Sequence, residues 1–296
     1  MKKILNNSKK LNYLLLAIIC ICWGFADILA KKGLVYFSPY EVGVLRVFVS
    51  SILFTPIAFY NIGKLEKKKI HFYILLSLLG TVFPVFLYAQ SQKNLDSWIT
   101  TLASSVTPIF SLFLTKIFLK TKIMKREILG TILSLIGCFI FTLALVKKSS
   151  SNSIYIIFPV VASFCYAASS IILIKYIKTN DVVAVSSFGV SFYLIISFFI
   201  VFFKTDIKYK LVNIKDAYIG LYNIILVSFS STTIAFVCYN LLSKRVSPIF
   251  ASVSKLIAPI ISISTGIIFG EIINFFQFVG IFIIILSIYF IIFSKK

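Results

Sequence analysis

The chain has 296 residues, of which 59% are hydrophobic and 13% charged, and its mean hydropathy is +1.02. Soluble domains carry about 25% charged residues, so this composition excludes a water-soluble fold and indicates an integral membrane protein. A net charge of +21 would suggest nucleic acid in a soluble protein. Here the basic residues fall in turns between apolar runs, where they act as a topology signal, and no nucleic-acid partner is predicted.

Apolar runs of bilayer-spanning length follow one another along the chain and leave no stretch for a soluble domain. Backbone groups must be paired inside hydrocarbon, and the runs are too long for barrel strands, so each is predicted to be a helix. The first run resembles a signal peptide, but no small-x-small cleavage site follows it, and it is interpreted as a span. The predicted spans of this all-α integral membrane protein, ten transmembrane helices in total, are 11–30, 39–60, 70–90, 97–119, 127–146, 154–174, 182–203, 217–242, 248–270 and 272–293.

The five cysteines all lie inside predicted spans. An odd number of cysteines in lipid argues against a disulfide framework, and Cys20-x-Cys22 lacks the second pair that a zinc site needs. The cysteines are therefore interpreted as packing residues. No metal site and no cofactor is predicted.

The two halves of the chain resemble each other. A linker-like segment at 147–153 separates them, which predicts units at 1–148 and 149–296. Each half has five spans, so the second must cross the membrane in the opposite sense, as in an inverted repeat. Shifts of 151 and 143 places superimpose aromatic and proline residues of the halves: Tyr88 on Tyr239, Pro108 on Pro259, and Trp23 on Tyr166.

Lysine and arginine residues set the predicted orientation. The N-terminus, the turns after even-numbered spans and the C-terminus hold 19 of them, the opposite turns hold nine, and Arg46 and Lys255 lie inside spans. Basic turns stay on the cytoplasmic side, so both termini are predicted to be cytoplasmic. We expect a multi-pass protein of the cell (plasma) membrane, which is the inner membrane where a cell has two.

Charged residues within spans are the strongest functional candidates. Lys255 lies near the middle of the ninth span, where inserting a charged side chain into the membrane costs about 2.5–3.5 kcal/mol. Pro259 follows it by one turn and, having no N–H, leaves a backbone carbonyl at the same depth without its helical hydrogen bond. Two readings stay open for Lys255: it binds a carboxylate or phosphate of a substrate, or it forms a buried ion pair with Asp27. Asp27 and Arg46 likewise either pair with each other or take part in substrate or proton binding.

Several short motifs occur in order along the chain: Cys22-Trp23-Gly24, Lys31-Lys32, Pro39 with Arg46, the pair Pro108 and Pro259, and Gly270-Glu271. Together they resemble the motifs of the drug/metabolite transporter (DMT) superfamily, in particular its EamA family. One element departs from that pattern, because the first half carries Lys120-Thr121 where the family has Gly-Glu. The resemblance implies two inverted five-helix EamA-like repeats.

The resemblance also implies a permease that works by alternating access around a midplane cavity. We expect a small metabolite as substrate, either an amino acid or another anionic or zwitterionic compound. The expected substrate-binding residues are Lys255, Arg46, Asp27, Trp23, Tyr88, Tyr166 and Tyr239, and the expected cavity-shaping residues are Pro108, Pro259, Gly270 and Glu271.

Three alternatives are weighed against this reading. A multidrug or cation exporter of the same fold and a non-transporting membrane scaffold both stay open. An enzyme is not expected, because the sequence has one histidine, no His-Glu-x-x-His motif and no clustered carboxylates. The expected partners are the substrate and the lipid bilayer, with a homodimer left open.

Overall fold

The computed structural model describes residues 2–95, 97–143, 153–177, 181–268 and 275–293. Within these ranges the regular structure is entirely helical. We number the long helical segments α1 to α10, with short breaks and wider turns inside some of them. Their bounds are α1 Lys2–Gly33, α2 Pro39–Tyr60, α3 Lys67–Asn94, α4 97–119, α5 Lys125–Leu143, α6 Ile154–Tyr176, α7 Val182–Phe203, α8 Ala217–Arg245, α9 248–268 and α10 Phe275–Ile292.

Seven of the described helices, α1 to α4 and α6 to α8, are long and apolar enough to cross a membrane. Shorter apolar helices at Pro248–Ser264 and Phe278–Ile292 lie within α9 and α10. The prediction of an all-helical, multi-pass membrane protein is therefore confirmed. The number of ten crossings and the inverted repeat stay predictions.

Helix α2 begins where its local sequence directs. Ser38 accepts a hydrogen bond from the Glu41 backbone N–H at 3.3 Å, and the Glu41 carboxylate accepts one from the Ser38 backbone N–H at 2.7 Å. This is a capping box, and Pro39 takes the first helical position, where its missing N–H costs nothing. Such caps contribute about 0.5–2 kcal/mol each, so the start of α2 is well defined.

Helices α5 and α10 pack closely because glycines lie on their shared face. A Cβ atom at Gly130 would lie 2.6 Å from Ile291 Cγ1. A Cβ atom at Gly137 would lie 2.8 Å from Ile284 Cγ1 and 3.0 Å from the carbonyl oxygen of Gly280. The seven-residue spacing of the two glycines thus forms the small-residue seam that lets helix backbones approach in lipid.

Among the described helices, α3, α4 and α8 contain π-helical turns, and the one in α4 lies at its end, Thr115–Leu119. In α3 the wider turn covers Leu78–Val82, and in α8 it covers Ser228–Ile234. The two turns lie about 151 residues apart, the same shift that superimposes the two halves of the sequence. A π-helical turn leaves backbone groups outside the regular α-helical bonding pattern and is frequent at functional sites.

Candidate functional site

A small cavity of about 30 Å³ lies among helices α1, α2, α3, α4, α6, α8 and α9. Most of its wall is polar or aromatic, in contrast to the apolar outer faces of the same helices. The expected substrate-binding residues that line it are Trp23, Asp27, Arg46, Tyr88, Tyr166 and Lys255. The structure therefore brings six residues from five helices to one place.

Lys255 projects from α9 into a group of aromatic rings. Its Nζ atom lies 3.5 Å from the centroid of the Trp23 ring, 4.2 Å from that of Tyr166 and 5.2 Å from that of Tyr88. The residue is 5% exposed. A cation over an aromatic face gains about 0.5–1 kcal/mol when exposed and 2 or more when desolvated, so these rings offset part of the burial cost.

Asp27 is held by two uncharged donors. Its carboxylate accepts hydrogen bonds from Gln92 Nε2 on α3 and Thr101 Oγ1 on α4. Among the described residues, no ion pair within 4 Å joins it to Arg46 or Lys255. In this structure neutral groups from neighbouring helices, rather than a direct ion pair, hold this carboxylate.

Arg46 reaches from α2 to the π-helical turn of α8. Its Nη2 atom donates to Thr232 Oγ1 at 3.1 Å and approaches Ser231 Oγ at 3.5 Å. The Trp23 Nε1–H donates to the backbone carbonyl of Ser231 at 3.4 Å, so the same turn orients the indole ring. The Arg46 Nε–H is buried and has no acceptor in the described part of the chain.

Pro108 and Pro259 are buried, but neither lines the cavity. Each instead lies four residues after a lining residue, so each frees that residue's carbonyl from helical bonding. Ser105 Oγ donates to the carbonyl of Lys255 at 3.0 Å. In α4 the freed carbonyl of Ser104 accepts from Thr107 Oγ1 at 2.5 Å, and Ser163 Oγ of α6 lies 3.2 Å from it. Both helices are thus irregular at the cavity wall, and side-chain hydroxyls pair the freed groups.

Tyr239 lies behind the wall. Its ring centroid is 5.3 Å from that of Trp23 and 6.1 Å from that of Tyr166, and the residue is 1% exposed. It supports the lining rings from α8 rather than facing the cavity. Gly270 and Glu271 lie outside the residues that the structure describes.

Sequence reasoning missed several polar residues of the site. Gln92 follows Tyr88 by four places on α3, and Thr101 and Ser104 precede Pro108 on α4. A search at helical spacing from the predicted residues would have found them, since positions i and i+4 share a face. Ser231 lies in the segment Ser228–Thr233, which is rich in serine and threonine although it is part of an apolar span. This local composition was the signal that could have identified Ser231.

The chain matches known sequences over both halves. The sequence profile of the EamA-like transporter family matches residues 10–143 and again 153–293. An uncharacterized transporter of Archaeoglobus fulgidus is 28% identical over 158 residues, 53% of this chain and 54% of that protein. The riboflavin transporter ImpX of Fusobacterium nucleatum subsp. nucleatum is 30% identical over 138 residues, 44% of this chain and 46% of that protein. The chain thus spans about half the length of the curated relatives it matches.

A solved crystal structure shares the fold. It superimposes with a TM-score of 0.71 at 11% identity, over 94% of this chain and 95% of that one. At this identity the likeness shows the fold alone. The family profile covers most of the sequence, and the resemblance inferred from the short motifs is confirmed. The chain belongs to the EamA-like transporter family.

Proposed function

We propose that this chain is a secondary transporter of a small organic anion or zwitterion, such as an amino acid. The cavity among α1, α2, α3, α4, α6, α8 and α9 is its substrate site. The two halves, 1–148 and 149–296, form inverted five-helix units, which rock about this site to expose it to one side of the membrane and then to the other.

The unpaired Arg46 Nε–H carries the proposal. A buried donor without an acceptor costs about 1–3 kcal/mol, and a substrate oxygen at this point would remove that cost. Arginine presents its donors in a planar fork that suits a carboxylate. Lys255 adds a second positive charge to the cavity, while the negative charge of Asp27 already has two donors. Two basic side chains against one acidic side chain favour an anionic group on the substrate.

The paired irregularities support alternating access. A proline follows the cavity wall by one turn in both α4 and α9, and a π-helical turn interrupts both α3 and α8. Equivalent breaks in two halves are typical of inverted-repeat transporters, whose discontinuous helices meet at a central site. The distribution of basic residues supports cytoplasmic termini in the plasma membrane. A homodimer is compatible with this mechanism but is not required by it.

Uptake into proteoliposomes tests the proposal. The purified chain would be reconstituted and supplied with a panel of labelled amino acids and dicarboxylates. We expect uptake of at least one anionic or zwitterionic compound, and its loss in Arg46→Gln. Lys67→Gln, at the exposed first residue of α3, is the matched control and should behave as the wild type. Equal uptake by a well-folded Arg46→Gln protein would contradict the role of this arginine.

Riboflavin is a second candidate substrate. One relative is named a riboflavin transporter, and the cavity has aromatic walls from Trp23, Tyr88 and Tyr166. Stacked aromatic pairs contribute about 0.5–1.5 kcal/mol beyond their buried area, which suits a flat heteroaromatic ring. Quenching of riboflavin fluorescence by the purified protein would test this candidate. No quenching at saturating protein would remove it and leave the anionic metabolites.

A further inference from the structure

The aromatic group around Lys255 is arranged as a cage for a cation. Rings from α1, α3 and α6 face one ammonium, at centroid distances of 3.5 Å for Trp23, 4.2 Å for Tyr166 and 5.2 Å for Tyr88. All three rings are at least 92% buried. Tyr239 packs against two of them from behind, which limits how far the rings can move apart.

Among the described residues, the close partners of the Lys255 ammonium are these aromatic rings. Asp27 is the carboxylate of the cavity wall, but it lies beyond ion-pair distance and accepts from Gln92 and Thr101. Cages of aromatic faces recognise quaternary ammonium and methyl-lysine ligands in other proteins. The cation in this cage is a side chain of the protein itself.

We propose that Trp23, Tyr88 and Tyr166 form a cation-binding cage that the Lys255 ammonium occupies as a tethered ligand. The tethered cation closes the site to organic cations and leaves its positive charge facing the cavity. Removing the side chain should therefore convert this part of the cavity into a site for a free alkylammonium ion. The inference rests on the proposed function and deepens it, because it sets the charge class of the substrate as anionic.

Chemical complementation provides the test. Lys255→Ala removes the atoms from Cγ to Nζ, and n-propylammonium has the same heavy atoms. The full chain would be purified in detergent with Trp98 replaced by Phe, so that tryptophan emission reports on Trp23. We expect n-propylammonium to change this emission saturably in Lys255→Ala and to leave it unchanged in the parent protein, because only the variant leaves the cation–π site open.

Two sets of controls separate the effect of the ligand's charge from the effect of the space left by the Lys255 side chain. 1-Propanol has the same length without the charge, and propionate has the opposite charge, so neither should match n-propylammonium in Lys255→Ala. Lys255→Met fills the cage with a neutral chain of similar length and should not respond to n-propylammonium. Equal responses to the amine and the alcohol would overturn the proposal, as would no response to either.

The parent protein keeps the inference testable if Lys255→Ala does not fold. Its cage is already filled, so n-propylammonium should leave its Trp23 emission unchanged, and a saturable response would overturn the proposal. The readout is equilibrium binding and needs no transport. If Lys255→Ala binds n-propylammonium but the parent protein transports no anion, the proposed function alone is contradicted. Anion transport without amine binding would contradict the cage alone.

Discussion

The serine that pairs with the freed carbonyl of α9 allows a direct test of how the site is built. Ser105 Oγ donates to the carbonyl oxygen of Lys255 at 3.0 Å, and Pro259 has no N–H to offer it. Ser105 is 1% exposed, so water cannot readily replace its hydroxyl. Ser105→Ala should therefore lower the free energy of unfolding by about 1–3 kcal/mol, the usual cost of an unpaired buried polar group.

The serine beside the freed carbonyl of α4 is the matched control. Ser163 Oγ donates to the carbonyl of Pro159 at 2.8 Å and lies 3.2 Å from that of Ser104, to which Thr107 Oγ1 donates at 2.5 Å. The carbonyl keeps one donor in Ser163→Ala, so we expect a loss of about 1 kcal/mol or less. The two variants remove the same atom from buried positions and differ in what remains for the freed carbonyl.

A double-mutant cycle completes the test. Pro259→Ala restores an N–H four residues after Lys255, so that Ser105→Ala should cost about 0.5–3 kcal/mol less in this background than in the parent protein. Unfolding of the purified protein in mixed micelles, titrated with a denaturing detergent, measures all four species. Identical losses for Ser105→Ala in both backgrounds would refute the reasoning that the proline makes the serine necessary.

Three further predictions concern the fold, the site and the topology. Gly137→Ala should destabilise the α5–α10 contact by about 1–3 kcal/mol through overpacking. Gly63→Ala, in which the added Cβ has nothing within 4 Å, should be close to neutral. Equal shifts of the melting temperature in detergent for the two variants would contradict the close contact. Thr101→Val removes one donor from a buried carboxylate at constant shape and should cost about 1–3 kcal/mol; an unchanged melting temperature would show that the hydroxyl is dispensable. Cysteines placed at Ser151 and Ser294 in a cysteine-free background should differ on intact cells, with an impermeant reagent labelling the first; labelling of the second alone would reverse the predicted orientation.

The sequence predicted the helix positions well because apolar length and helix-ending residues determine them. The predicted spans at 39–60 and 182–203 coincide with Pro39–Tyr60 and Val182–Phe203 in the structure. In each case a polar N-cap, Ser38 or Asp181, precedes the first turn, and polar residues follow the last turn. Such local signals are strong in lipid, where an unpaired backbone is excluded.

The π-helical turns and the partners of the charged residues could not be predicted in the same way. The turn at Ser228–Ile234 depends on how α8 meets Arg46 and Trp23, residues that are about 180 to 210 positions away in the chain. For Asp27, sequence reasoning matched opposite charges by sign. In the structure, the groups close enough to bind this carboxylate are the Gln92 amide and the Thr101 hydroxyl. Neither side chain is charged, so charge matching in the sequence could not identify them.

The separation of the three charges has a consequence for binding. A direct ion pair would have neutralised two of them and left little field for a ligand. Instead, uncharged groups hold each charge: Asp27 accepts from an amide and a hydroxyl, Arg46 donates to hydroxyls of the α8 turn, and Lys255 lies against aromatic rings. Neutral partners lower the cost of burial without cancelling the charge. The cavity wall therefore holds two basic side chains and one acidic one, and the Arg46 Nε–H has no acceptor among the described residues.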